Sequence, residues 1–150
     1  MIVKEQRWVV EVDREACGAL LESSVIGRFG FCTERGAEIL PVNYVMDGDA
    51  VVFRTASGAK LEGSWRAEVV FEVDAFDVHG ESGWSVVVHG IAQEVTGNDR
   101  PDLVRRLAAL SLVPWVPGER THVMRLAPMR VTGRRVGHGT PNGSGGGEAM

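Results

Sequence analysis

The spacing of apolar and polar positions changes character several times along the 150-residue chain. Residues 14–24 set Ala16, Ala19, Leu20 and Ser23 on one helical face, with Asp13 before them as an N-cap. The period then shortens to two. Strands are predicted over residues 27–33 and 38–46, separated by the turn Glu34-Arg35-Gly36. Asp47-Gly48-Asp49 is a hairpin signal, and residues 50–55 return as a strand. A short helix is expected over residues 59–65. Residues 68–77 and 84–96 read as two long strands around a turn at 79–83. Asn98 or Asp99 opens a helix running to about Ser111, with Pro101 in its first turn. Residues 112–120, with Pro114 and Pro117, read as a loop, and residues 121–136 form a last strand bent around Pro128.

Six sequential strands joined by short turns point to a mainly β fold with peripheral helices, an antiparallel sheet curled into a barrel. In Val69-Val70-Phe71-Glu72-Val73 and in Trp84-Ser85-Val86-Val87-Val88 both faces carry apolar groups. One face then fills the barrel and the other meets a helix or a second subunit. The folded unit is expected at residues 1–136. The Gly-rich stretch 137–150 has almost nothing to bury and reads as a disordered tail.

Composition narrows the function classes. With 44% hydrophobic residues, the chain is long enough to bury a core as one domain. Lys and Arg total 16 against 20 Asp and Glu, a net charge of −4, which argues against a general nucleic-acid binder. Five arginines after residue 119 (Arg120, Arg125, Arg130, Arg134, Arg135) read as a solvated face or an interface. Two cysteines, Cys17 and Cys32, exclude a disulfide scaffold; they read as small buried apolar residues in a reduced setting. No apolar run reaches the roughly 20 residues of a membrane helix, and the first residues lack an apolar signal core. A cytoplasmic protein is expected.

No nucleophile elbow, H-E-x-x-H, C-x-x-C, Walker loop or dinucleotide glycine fingerprint occurs. Asp74, Asp77 and His79 read as a solvated turn rather than a metal site, and His89 and His122 as packed or hydrogen-bonded histidines. The informative stretch is residues 53–61. There a strand end, a Ser-Gly turn and a helix start bring together Arg54, Thr55, Ser57, Lys60 and backbone N–H groups. A phosphate needs such donors and positive charge; the alternative is a polar strand end with a helix cap. In an ideal strand Arg54 and Thr55 point to opposite faces, so both reach one phosphate only if the chain turns at Thr55. Pro41 within a strand signals an edge or a bulge, where backbone groups and the Asn43 amide stand free for a planar ligand. Trp84 and Trp115 are candidate aromatic walls, or core.

Taken together, Gly27-Arg28-Phe29-Gly30, Pro41-Val42-Asn43-Tyr44, Phe53-Arg54-Thr55 with Gly58 and Lys60-Leu61, Phe71-Glu72-Val73-Asp74, and Gly83 to Gly90 resemble the pyridoxamine 5′-phosphate oxidase-like, FMN-binding split-barrel family. The likeness is to its short actinobacterial-type, nitroimidazole-reductase-like branch, and spans about residues 15–136. It implies a six-stranded antiparallel split β-barrel, a homodimer, and two flavin sites at the subunit interface. Arg54, Thr55, Ser57 and Lys60, followed by Leu61, would hold the FMN phosphate. Pro41, Val42 and Asn43 would run beside the isoalloxazine ring, with Trp84, Ser85 and Trp115 approaching from the partner subunit. The implied activity is an FMN-dependent oxidoreductase passing hydride from a reduced nicotinamide or another donor to a small organic acceptor. A non-enzymatic flavin-, deazaflavin- or haem-binding module, with His89 or His122 as axial ligand, and a barrel without cofactor stay open beside it. Arg120-Thr121-His122 echoes the substrate Arg-x-His pair of true pyridoxamine phosphate oxidases without its context, so vitamin B6 oxidation is not assigned. No catalytic acid or base stands out near the ring.

Overall fold

Six of the seven strands in the computed structural model close a ring, and they do so because the last strand pairs on both edges. The structure describes residues 6–55, 67–96, 98–110 and 122–139. The strands are β1 (Arg7–Val12), β2 (Ile26–Thr33), β3 (Gly36–Asp47), β4 (Ala50–Thr55), β5 (Val69–Asp77), β6 (Ser82–Val95) and β7 (His122–His138). Helix α1 spans Arg14–Glu22 and helix α2 spans Pro101–Ala108. Every pairing is antiparallel, and the ring runs β4-β3-β2-β5-β6-β7 and back to β4. The expected helix over 59–65 and loop over 112–120, with Ser57, Lys60, Leu61 and Trp115, lie outside the described residues.

Alternation along the strands sorts the side chains. Phe29, Phe31, Val42, Tyr44, Phe53, Phe71, Val73, Val86 and Val88 fill the barrel, with Met124 and Leu126 from β7. Helix α1 closes one end. Asp13 caps it as expected, its Oδ1 accepting from the Ala16 N–H at 2.8 Å. The buried positions are Cys17 and Leu21 rather than the expected Ala16 face. The reason is a close approach: Cys17 Sγ sits where a Cβ on Gly133 would come within 2.5 Å. The Tyr44 hydroxyl, inside the barrel, donates to the Leu21 carbonyl and ties the helix to β3. Cys32 is exposed, not buried, since Phe29 and Phe31 take the inward positions of β2.

Helix α2 lies on the outside. Leu103 and Leu107 pack on Val52, Val45 and Val123 as a second, smaller core. The helix starts later than expected. Arg100 is its N-cap and makes no side-chain cap bond, while Asp99 is engaged by the Thr96 hydroxyl. Arg100 instead clamps Asp47 with two 3.0 Å bonds, and Arg125 Nε adds a third at 3.0 Å. These bonds fasten helix, β3 and β7 together. They also hold the Asp47 carboxyl down at about 2, from an ordinary 3.8. Asp47→Asn should therefore lower stability at pH 7 by about 1–2 kcal/mol. A depressed carboxyl stabilises above its unfolded value and loses that contribution as pH falls through its folded one. Urea titrations of both proteins should then show the gap closing between roughly pH 4 and pH 2; a constant gap would contradict the clamp.

Two features differ from expectation at the ends of the chain. β1 was not expected, because Val9 and Val10 break the alternation and most of the strand is exposed. It pairs residues 7–12 with residues 133–138 of β7. β7 accordingly runs through Gly137 and His138, two residues past the boundary expected at Val136, with the Trp8 ring filling the space that Gly137 leaves. The bend at Pro128 is a register shift: His89 pairs with Arg130 and Gly90 with Pro128, so Met129 is the extra residue.

Candidate functional site

β3 pairs with β2 along Gly36–Asn43 but with β4 only along Tyr44–Asp47. One edge of the Pro41 segment thus faces no strand among the described residues, which is where a proline is tolerated. Inward alternation at Val42 and Tyr44 turns Pro41 and Asn43 outward. In β4 the same rule turns Arg54 outward, since Val51 and Phe53 point in. Tyr44 pairs with Phe53, so Asn43 and Arg54 are the next positions along two adjacent strands. They are neighbours on one face.

The environment of Asn43 is unusual. Its side chain is 1% exposed, and among the described residues neither Oδ1 nor Nδ2 has a hydrogen-bond partner. A buried, unsatisfied amide costs about 1–3 kcal/mol, so a position of this kind points to a group that is bound there. Leu has the same heavy-atom branching as Asn and no polar atoms. Asn43→Leu should raise the melting temperature of the ligand-free protein, and a lowered one would contradict the unsatisfied amide.

The other expected site residues divide between the faces. Thr55 is buried, pairs with His122, and by alternation points inward, opposite to Arg54. β4 stays in the ladder through Thr55, so no turn at that residue brings the two side chains to one side. Val42 is part of the barrel core and offers only its backbone to the outer face. Trp84 packs against the same core and pairs with Ala75 and Arg135. Ser85 is outward, between Asp74 and Arg134. The structure therefore gathers Pro41, Asn43 and Arg54, keeps Ser85 on the same face three strands from β3, and turns Thr55 and Trp84 inward.

One cluster on this face escaped sequence reasoning. Pro41 pairs with Arg28, and Arg28 with Glu72. Arg28 Nη1 lies 3.4 Å from Glu72 Oε1 and 3.3 Å from Asp74 Oδ2. Burial first, then the hydrogen bond and charge of Asp74, push the Glu72 carboxyl up to about 7 from 4.5, against the opposing pull of Arg28. A proton-holding carboxyl thus stands one strand beyond Arg28, in the row of Pro41. Alternation alone puts Glu72 and Asp74 on one side; the missing signal was the neighbourhood of β2 and β5, which are far apart in sequence. By contrast, Asp77 simply accepts from the His79 N–H at 3.0 Å, as a polar turn does. A raised carboxyl stabilises fully below its unfolded value and loses that as pH rises through its folded one. Thermal melts of Glu72→Gln should then gain on wild type between pH 5 and pH 8, whereas a difference independent of pH would refute the raised value.

Comparison with known proteins now adds the family. Residues 13–135 match the pyridoxamine 5′-phosphate oxidase family. An uncharacterised protein of Mycobacterium tuberculosis is 37% identical over 136 residues, covering 87% of each chain. A solved structure of an FAD-binding protein from Mycobacterium smegmatis is 34% identical, covers 84% of this chain and 98% of its own, and superposes with a TM-score of 0.66. A second FAD-binding protein, from Mesorhizobium loti, shares the fold at 20% identity and a TM-score of 0.71, over 85% of this chain and 97% of its own. No described helix is long and apolar enough to cross a membrane.

Proposed function

Since the chain belongs to the pyridoxamine 5′-phosphate oxidase family, we propose that it is a flavin-binding oxidoreductase using FMN at the outer face of β3 and β4. The observation that carries this reading is the buried Asn43 amide without a partner, beside Arg54 at the open edge of β3. The flavin ring system presents N–H and C=O groups together, and an amide side chain offers one acceptor and one donor pair to match them. Arg54 supplies a charged fork for the phosphate, joined by Ser57 and Lys60 from the segment after β4, with Thr55 contributing backbone. Flavin, when bound, supplies the hydride chemistry; the chain's own part is to bind, orient and protect. A small organic compound is the proposed acceptor, and a reduced nicotinamide is the proposed electron donor.

The protein works as a homodimer in this reading. Glu72 and Asp74 form an acidic row on β5, and Arg130 and Arg134 a basic row on β7, with β6 between them. Two strand spacings separate the rows by roughly 10 Å. A second copy turned about a two-fold axis over β6 sets each acidic row against the partner's basic row.

FAD is the second reading, favoured by the FAD-binding M. smegmatis relative at 34% identity. Both flavins share the ring and the first phosphate. A visible absorption spectrum before and after addition of FMN and, in a parallel sample, of FAD, with mass analysis of whatever denaturation releases, separates the outcomes. FMN released or taken up supports the proposal. FAD alone moves it to the second reading. A colourless protein that takes up neither defeats both.

A further inference from the structure

Where β2 and β3 pair, their outward side chains fall in four rows: Ile26 with Asn43, Arg28 with Pro41, Gly30 with Ile39, and Cys32 with Ala37. Arg28 is the one charged residue in these rows. It brings a positive charge to within one strand spacing, about 5 Å at the backbone, of the Pro41–Asn43 strip. Its nearest outward neighbour toward Asn43 is the apolar Ile26. A charge beside an apolar surface that a ligand covers acts through a lower effective dielectric than one in open water.

The guanidinium is held from the far side. Nη1 alone meets the carboxylates of Glu72 and Asp74, while Nε and Nη2 make no hydrogen bond among the described residues. In the homodimer reading the partner's basic row meets the same two carboxylates and offsets their charge, not that of Arg28. Arg54 and Arg28 then differ in kind. A phosphate keeps its charge whatever the state of the ring, so Arg54 favours both redox states alike. Hydride from a reduced nicotinamide carries two electrons and one proton, so the ring gains one negative charge and the nicotinamide leaves as its cation. Only a cation beside the ring distinguishes the two states.

We propose that Arg28 sets the reduction potential of the bound flavin, as a fixed positive charge beside the ring that favours the reduced anion over the oxidised state. This role rests on the flavin reading, with the ring over the Pro41–Asn43 strip.

Midpoint potentials are to be measured at pH 8 on the full chain loaded with FMN, or with FAD if wild type takes up only that. Arg28→Gln should lower the potential by about 30 mV, the two-electron equivalent of a tenfold loss of preference for the reduced state. Its affinity for oxidised flavin should stay within about threefold of wild type. Arg28→Lys keeps the charge and should keep most of the potential. Asp74→Asn removes a counter-charge from Arg28 and should move the potential upward; it carries the test if Arg28→Gln does not fold. Arg35→Gln removes a charge roughly 20 Å away along β2 and its turn, beyond the screening length, and should change nothing. The proposal is overturned if Arg28→Gln shifts the potential no further than Arg35→Gln, or if Arg28→Gln and Asp74→Asn shift it in the same direction. Failure of wild type to take up either flavin removes the flavin reading and this role with it. Uptake with a potential indifferent to Arg28 removes this role alone.

Discussion

Arg54→Ala is expected to weaken FMN binding on the order of a hundredfold, read from quenching of flavin fluorescence. The guanidinium is outward on β4, partly buried, and adjacent to the Asn43 position. Hydrogen bonds to charged groups contribute about 1.5–3 kcal/mol each, and a fork on a phosphate makes two. The lower end of that range already gives a hundredfold. Arg54→Lys keeps the charge and loses the fork, so it should fall between the two. Arg35→Ala, in the β2–β3 turn, serves as a control for lost positive charge. Because Arg54 has interactions of its own in the folded chain, the variant's melting temperature has to be measured alongside. If it folds and holds FMN as tightly as wild type, the phosphate is bound elsewhere. Asn43→Leu should lower the affinity too, and the opposite signs of its effects on the free and the loaded protein separate a ligand contact from general damage.

Phe71→Ala should cost about 3–5 kcal/mol, enough to lower the melting temperature by about 10 °C at this chain length. The ring is fully buried at the centre of the barrel. Its centroid lies 5.0 Å from that of Tyr44, edge to face, and 6.2 Å from that of Phe53. It also occupies the space that Gly27 leaves open, since a Cβ there would come within 2.2 Å of the ring. Truncation leaves a void walled by closed strands that cannot collapse into it. Phe76→Ala is the informative comparison. Phe76 is on the same strand but five positions on, and it faces solvent. Its loss should be within about 0.5 kcal/mol. Equal losses for the two would mean that the inside and outside of β5 are assigned wrongly.

The contrast shows which parts of this fold were legible in the chain. The strands from Ile26 to Val95 were, because their alternation and the hairpin at Asp47-Gly48-Asp49 are local. β1 was not. Val9-Val10 shows no alternation, and the strand exists because β7 offers it a ladder more than a hundred residues away. The start of α2 was misjudged for a related reason. Asp99 is the better cap by type, but Arg100 is drawn to Asp47, a partner from another hairpin. In the site, residue chemistry found Pro41, Asn43 and Arg54, and strand parity then removed the Thr55 side chain from their side. Arg28, Glu72 and Asp74 were visible one by one. Their meeting depends on β2 lying beside β5, a pairing of distant segments that no local pattern announces.

The double duty of β7 bears on how the chain is made. Its first residues pair with β4, its last with β1, and the stretch Val123–Val136 with β6. Until it leaves the ribosome, β4 and β6 each have an unpaired edge and β1 has no neighbour. Such edges recruit other chains, and closure waits on contacts of long sequence separation. A ribosome stalled before residue 122 therefore presents an open, sticky sheet, and one released after residue 138 a closed barrel. The interval of synthesis between those points is the time in which this protein most depends on chaperones.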